Sequence, residues 1–256
     1  MFFLILLLIP INVVFAESLL PITFSNSMDA VYFDGKWSFW EEWKSSSHEE
    51  IKVENFVIQF RIAHQDEFIY ALVDFVNDYS FDRGADYAML CFDTENEKSK
   101  IADKNDYCFM SILGRSNPIT FQGGSPFGSQ SNFEKITNSN DLIAIGGLSD
   151  ENDRYSNRPH VSYEFKIPLE VLGRSNNYGF HLAVFDGKTN SKIIWPDNKI
   201  ESNSISILQP AHWGNLVSPD KSLPEFSSMT FIFIFSLVIP IFFIQFKNKI
   251  FSSLFH

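Results

Sequence analysis

Apolar residues between Phe56 and Asp93 fall into three runs, Val57–Ile62, Phe68–Val76 and Tyr87–Asp93, all rich in Val, Ile, Phe and Tyr. These residue types suit a pleated, half-buried surface, and none of the runs repeats at helical spacing over a helix's length, so the pattern predicts strands. His64-Gln65-Asp66-Glu67 separates the first two, and a loop carrying Asp78, Asp82, Gly84 and Asp86 precedes the third. From Val161 to Ile167 the alternation is regular, with Val161, Tyr163, Phe165 and Ile167 on one side and Ser162, Glu164 and Lys166 on the other. Further strands are predicted at Ala30–Phe33, Asp106–Leu113, Leu142–Leu148, Tyr178–Phe185 and Ile205–Leu208, with one helical turn at Pro168–Gly173. Leu19–Ser27 reads as a lead-in, and Gly114–Asn140, rich in Gly, Ser, Asn and Pro, as a long surface excursion. About nine or more short strands with turn-forming residues between them predict an all-β fold, a single jelly-roll-like β-sandwich over 17–217.

The two ends differ from this middle. Residues 1–16 are apolar apart from Asn12 and finish in Val14-Phe15-Ala16, the pattern of a secretory signal peptide; a retained anchor is the alternative. Residues 229–246 form a second apolar run, whose rise of roughly 27 Å as a helix just spans a hydrocarbon core. Lys247 and Lys249 follow it, which places the tail 247–256 in the cytoplasm and the globular part outside, at the cell surface. The linker 218–228 contains Pro224-Glu225-Phe226. This motif, one span and a basic tail together resemble the PEF-type sorting signals of archaeal surface proteins, which implies an archaeosortase-type processing enzyme as a partner; a plain membrane anchor is the alternative.

Charge narrows the partners. Without Lys247 and Lys249, 18 basic residues face 31 acidic ones, a balance of −13. That excludes a nucleic-acid backbone as ligand, since phosphate contacts need clustered Lys and Arg. The two cysteines, Cys91 and Cys108, sit in neighbouring predicted strands, so export makes a disulfide available to them, free buried thiols being the other reading. Trp37, Trp40 and Trp43 are three residues apart, which on a helical turn would stack them as a platform or as a cap on one end of the sandwich.

The order of motifs goes further than composition. Asp34-Gly35, Glu42-Trp43, a strand ending at Asp74, Asp86–Asn96 (DYAMLCFDTEN), Tyr163–Gly173 (YEFKIPLEVLG), Trp195-Pro196-Asp197 and Pro210–Leu216 (PAHWGNL) follow one another. Over roughly Val31 to Leu216 this resembles family-9 carbohydrate-binding modules and the related DOMON-like sandwiches. The resemblance implies a non-catalytic module that holds a sugar between aromatic rings, with calcium nearby. Tyr79 and Phe81 offer rings, and Trp195 matches a tryptophan of the family pattern. Where sugar-binding members carry a second tryptophan this chain has Ile205-Ser206-Ile207. Other relatives bind haem, for which Met89, Met110, His64 and His181 are candidates by residue type.

The candidate chemistry then sorts by residue type. Trp195, Asp197, Tyr79, Phe81 and Arg83 supply the planar rings and hydrogen-bonding groups a carbohydrate or cell-envelope glycan needs. Asp78, Asp82, Asp86 and Asp93 supply hard oxygens for Ca2+, although plain solvated acids are the simpler account of them. The six histidines include no closely spaced ligand pair for zinc. There is no Gly-x-Ser-x-Gly elbow, phosphate-binding loop or dinucleotide fingerprint, and no N-glycosylation sequon.

Overall fold

The computed structural model describes residues 18–126, 132–202 and 206–222. The predicted leader 1–16, the motif Pro224-Glu225-Phe226, the apolar span 229–246 and the tail 247–256 lie outside the described residues. No helix among the described residues is long and apolar enough to cross a membrane. The described residues up to Pro219 form one unit; beyond it only the end of the helical turn Pro219–Ser222 is described.

Alternation builds the first sheet. In β4 (Phe56–Gln65), β5 (Phe68–Phe75) and β11 (Val161–Pro168), Ile58, Phe60, Ile62, Ile69, Ala71, Val73, Phe75, Val161, Tyr163, Phe165 and Ile167 enter a common core. The six-stranded sheet runs β10 (Ile143–Leu148), β11, β5, β4, β2 (Thr23–Phe24), and β3 (Ser47–Val53) also pairs with β4. The facing nine-stranded sheet runs β1 (Leu19–Pro21), β15 (Gly214–Val217), β12 (Asn177–Asp186), β6 (Tyr87–Asp93), β7 (Asp106–Ile112), β8 (Ile119–Gln122), β9 (Glu134–Ile136). On its flank β13 (Ser191–Trp195) pairs β12, and β14 (Lys199–Glu201) pairs β13. Ala88, Leu90, Phe92, Phe180, Leu182 and Val184 face the first sheet, and Phe60 stacks on Phe180 with ring centroids 5.6 Å apart. Each phenylalanine sealed in this way contributes roughly 1.5–3 kcal/mol relative to exposure.

Both outer faces are covered as well. On the nine-stranded sheet, Tyr87, Met89, Cys91, Cys108, Met110 and Phe185 are buried with Ala102, Phe133, Ile207 and Trp213 from loops. On the six-stranded sheet, Ala63, Tyr70 and Leu72 are buried with Met28, Val31, Trp37 and Trp43. Cys91 and Cys108 lie opposite each other on β6 and β7 and are joined by a disulfide.

Several predicted elements differ. Met28–Ala30 is a 3-10 turn and no strand follows it to Phe33; the segment instead lies against a sheet face. Trp37, Trp40 and Trp43 do not share one face: Trp37 and Trp43 are sealed against the six-stranded sheet, whereas Trp40 is 64% exposed. The excursion Gly114–Asn140 contains β8 and β9, and the lead-in supplies β1 and β2. Ser206–Gln209 is not a strand; Ile207 serves as a lid on the outer face.

Candidate functional site

Three turns meet at one end of the sandwich: the β5–β6 loop (76–86), the β10–β11 loop (149–160) and the β12–β13 turn (187–190). Their common feature is Asp78, Asp86 and Asp186, all buried, each offering a carboxylate oxygen within 4.8 Å of the others. Asp86 ends the loop and receives hydrogen bonds from the Asp82 N–H (2.8 Å) and the Gly187 N–H (2.8 Å). Asp186 Oδ1 receives the Lys188 N–H at 2.9 Å. Asp78 Oδ1 receives the Ser80 N–H and hydroxyl at 2.9 and 2.7 Å, while its Oδ2 and that of Asp82 are buried without a partner. A Cβ at Gly187 would meet Ala85 Cβ at 2.7 Å, so only glycine lets this turn approach Asp86 so closely.

No basic side chain pairs with these carboxylates among the described residues. Burial, and then the neighbouring acids, push Asp78 up to about 6 and Asp86 up to about 7, against the opposing hydrogen bonds. The core ring of Tyr163 ends in a buried hydroxyl without a partner, whose pKa is raised by burial and by Asp86, Asp78 and Asp186. Converging carboxylates, orphaned oxygens and no counter-charge are what a hard cation requires, and calcium, with all-oxygen coordination, fits the donor set.

The rim of this end is aromatic. Tyr79 is 37% and Phe81 42% exposed. Arg158, from the β10–β11 loop, lies 3.5 Å from the centroid of the Tyr79 ring. Arg83 is exposed on the same loop and packs its stem at Gly114, where a Cβ would come within 3.1 Å of Arg83 Cγ. Tyr79, Phe81, Arg83, Asp78, Asp82 and Asp86 therefore share one end of the fold.

Three predicted site residues sit elsewhere. Asp93 lies at the far end of β6, roughly 20 Å from Asp86. There its carboxylate receives the N–H groups of Glu95, Asn96 and Lys98, so it caps a turn and shares no ion with Asp78. Trp195 is 5% exposed, packed on Phe180 and over Gly214, where a Cβ would come within 2.3 Å of its ring. Neither face of that ring is open to a ligand. Asp197 pairs with Lys199 at 2.8 Å on the β13–β14 turn, roughly 20 Å along the strand from Asp186. Met89, Met110 and His181 share the outer face of the nine-stranded sheet under Phe133 and Trp213; His64 is on the other sheet. His181 is held near pKa 4 by burial, its Nδ1 on the Trp195 carbonyl and its Nε2 without a partner.

Asp186 and Arg158 were not identifiable from sequence. Asp186 stands one hundred positions from Asp86, and the Asp186-Gly187 pair signals only a turn. A hydroxyl, imidazole and carboxylate also line up as Ser149, His160 and Asp74. Ser149 is 4% exposed and its oxygen receives the His160 backbone N–H at 3.0 Å, so it is closed to a substrate carbonyl.

No family model and no curated protein matches the chain. Among solved structures, a family-9 carbohydrate-binding module from Caldicellulosiruptor kristjanssonii in complex with cellotriose is similar with a TM-score of 0.46 and 10% identity, over 81% of this chain and 98% of that one. A family-9 module from the same organism in complex with glucose gives 0.45 and 10%, over 78% and 95%.

Proposed function

We propose that the domain is a non-catalytic carbohydrate-binding module, held on the outer face of the cell membrane by its apolar C-terminal segment, with calcium seated among Asp78, Asp86 and Asp186. The observation that carries this reading is the pair of exposed rings, Tyr79 and Phe81, on a loop whose two ends are anchored by buried carboxylates. A planar ring with a guanidinium on one side presents its other side to the C–H face of a sugar, and Arg83 and Asp82, on the same loop as the rings, and Arg158 offer hydrogen-bonding groups for hydroxyls. Calcium would act structurally, tying the β5–β6 loop to the end of β12 and neutralising the acids beneath the rings. β15 ends opposite Asn177, the far end of β12 from Asp186, so the linker leaves from the end away from the rings.

Two outcomes test this. Titrating the full-length protein with cellotriose and with envelope polysaccharide should show saturable binding, and Tyr79→Ala or Phe81→Ala should weaken it about tenfold or more. No binding, or binding indifferent to both rings, would move the ligand elsewhere. A calcium-selective chelator should lower the melting temperature by roughly 5–10 °C, since a ligand held only by the folded state stabilises it. Asp186→Asn should remove that response; an unchanged melting curve on chelation of the wild type would refute the calcium assignment.

A further inference from the structure

The outer face of the six-stranded sheet holds a second cluster, chemically unlike the first. Asp74 on β5 stands between Ser162 of β11 and Gln59 of β4. His160, at the foot of β11, points Nε2 at Asp74 Oδ1 in a short contact and lies 3.8 Å from Asp153 Oδ1. The side chains of His160, Asp74 and Asp153 are each 1% exposed or less. One ligand atom from each lies within 4.8 Å of the other two.

The remaining contacts fix what Nε2 can be. Nδ1 is 2.8 Å from the Arg158 carbonyl and 2.9 Å from the Ser149 hydroxyl; the hydroxyl can donate or accept but the carbonyl only accepts, so a hydrogen on Nδ1 serves both contacts whereas a lone pair there would face the carbonyl oxygen. Nε2 then presents either a lone pair or a second proton to two carboxylates. A lone pair facing two carboxylates is repulsive unless a cation lies between them. A second proton leaves an imidazolium against two carboxylates, a net charge of about −1 sealed from water. It also leaves Asp74 Oδ2, Asp153 Oδ2 and the Ser162 hydroxyl buried without partners. A divalent ion brings the same set to neutrality and uses those oxygens. The ring is oriented as a metal-bound histidine is, by its other nitrogen on a carbonyl. Asp153 is oriented likewise, its Oδ1 receiving the Tyr155 and Ser156 N–H groups at 2.8 and 3.2 Å.

We propose that Asp74, Asp153 and His160 bind a divalent transition-metal ion of the zinc class, through one imidazole nitrogen and two carboxylates, with water or Ser162 completing the shell. A nitrogen donor selects this class over calcium, which takes oxygen alone. The ion pins the β10–β11 loop to β5. That loop carries Arg158, whose carbonyl holds His160 and whose guanidinium covers Tyr79, so occupancy stiffens the rim of the carbohydrate site.

Cobalt(II) is the spectroscopic probe. Full-length protein, stripped of metal and then saturated with calcium, should take up one equivalent of Co2+ with the visible absorption of a four-coordinate N/O site, and Zn2+ should displace it. His160→Gln should weaken uptake by about 100-fold or more while leaving the calcium-dependent melting shift in place. Asp153→Asn, whose amide oxygen keeps the two backbone N–H contacts and hence the loop, should weaken it about tenfold or more. Absence of saturable Co2+ and Zn2+ uptake in natively folded protein would overturn the proposal and leave a proton between the carboxylates. Uptake unchanged in Asp153→Asn would equally overturn it.

Discussion

Trp43→Ala is expected to lower the unfolding free energy by about 4 kcal/mol or more, read as a shift of the urea midpoint. Trp43 is fully buried with Met28, Trp37, Tyr70 and Leu72, so truncation opens a cavity that sheet and covering segment cannot both close. Its indole N–H also donates to Glu164 Oε1 at 3.0 Å. Glu164 is a buried carboxylate whose other oxygen receives the Asp34 and Gly35 N–H groups at 2.9 and 2.7 Å, so the substitution strands one of its oxygens. Trp43→Phe separates the two effects: it keeps most of the volume, loses only the donor, and should cost about 1–3 kcal/mol. A loss below about 1 kcal/mol for alanine would mean that this segment is not part of the folded core.

The second large effect is a pH dependence at the opposite end from the rings. Asp106 faces Asp93 across β6 and β7; its Oδ2 receives the Asp103 N–H at 2.7 Å and its Oδ1 has no partner. Burial first, then the charges of Asp93, Asp103 and Glu97, raise its pKa to about 8. The unfolded chain releases this proton near pH 4, and the folded chain keeps it to about pH 8. Between those limits the folded state binds the extra proton, so its contribution is complete below about pH 4 and is lost as pH rises to about 8. Asp106→Asn stays neutral throughout. It should match the wild type below about pH 4 and exceed it increasingly as pH rises, by on the order of 2–4 kcal/mol near about pH 9. Denaturant midpoints across that range check it, and parallel profiles for the two proteins would show that Asp106 is ionised in the fold.

How far the sequence foretold this molecule depends on the range of the interaction. β4, β5, β6, β11 and β12 were legible because burial on two faces leaves long apolar runs, and a single buried face leaves alternation. β3, Ser-His-Glu-Glu-Ile-Lys-Val, was not: only Ile51 and Val53 turn inward, and the charged face masks them. β8 and β9 are too short to stand out in a loop of Gly, Ser and Asn. Tyr79, Phe81, Asp78, Asp82 and Asp86 belong to one loop, so local reading placed them together. Asp93 was grouped with them by proximity in sequence, yet a strand's length carries it to the other end. Asp186, and the pairing of Asp74 with Asp153 and His160, depend on chain reversals that no short window contains. Trp195 had the residue type of a sugar platform, and only packing shows that its ring is spent on the core.

β1 and β15 run parallel, Leu19 beside Asn215 and Pro21 beside Val217, while β12 flanks β15 antiparallel on its other edge. The last strand before the linker is thus clamped between two neighbours, with Ser218 N–H still bonded to the Asn176 carbonyl at 2.9 Å. If the chain is held by its C-terminal segment, as proposed, tension reaches the fold through this strand. Its interstrand bonds lie across the direction of pull, so they share the force in shear and yield together, not one at a time. Removing Leu19–Pro21 would strip one side of that clamp, and the protein would then come apart at a lower load while the end carrying Tyr79 and Phe81 stayed intact.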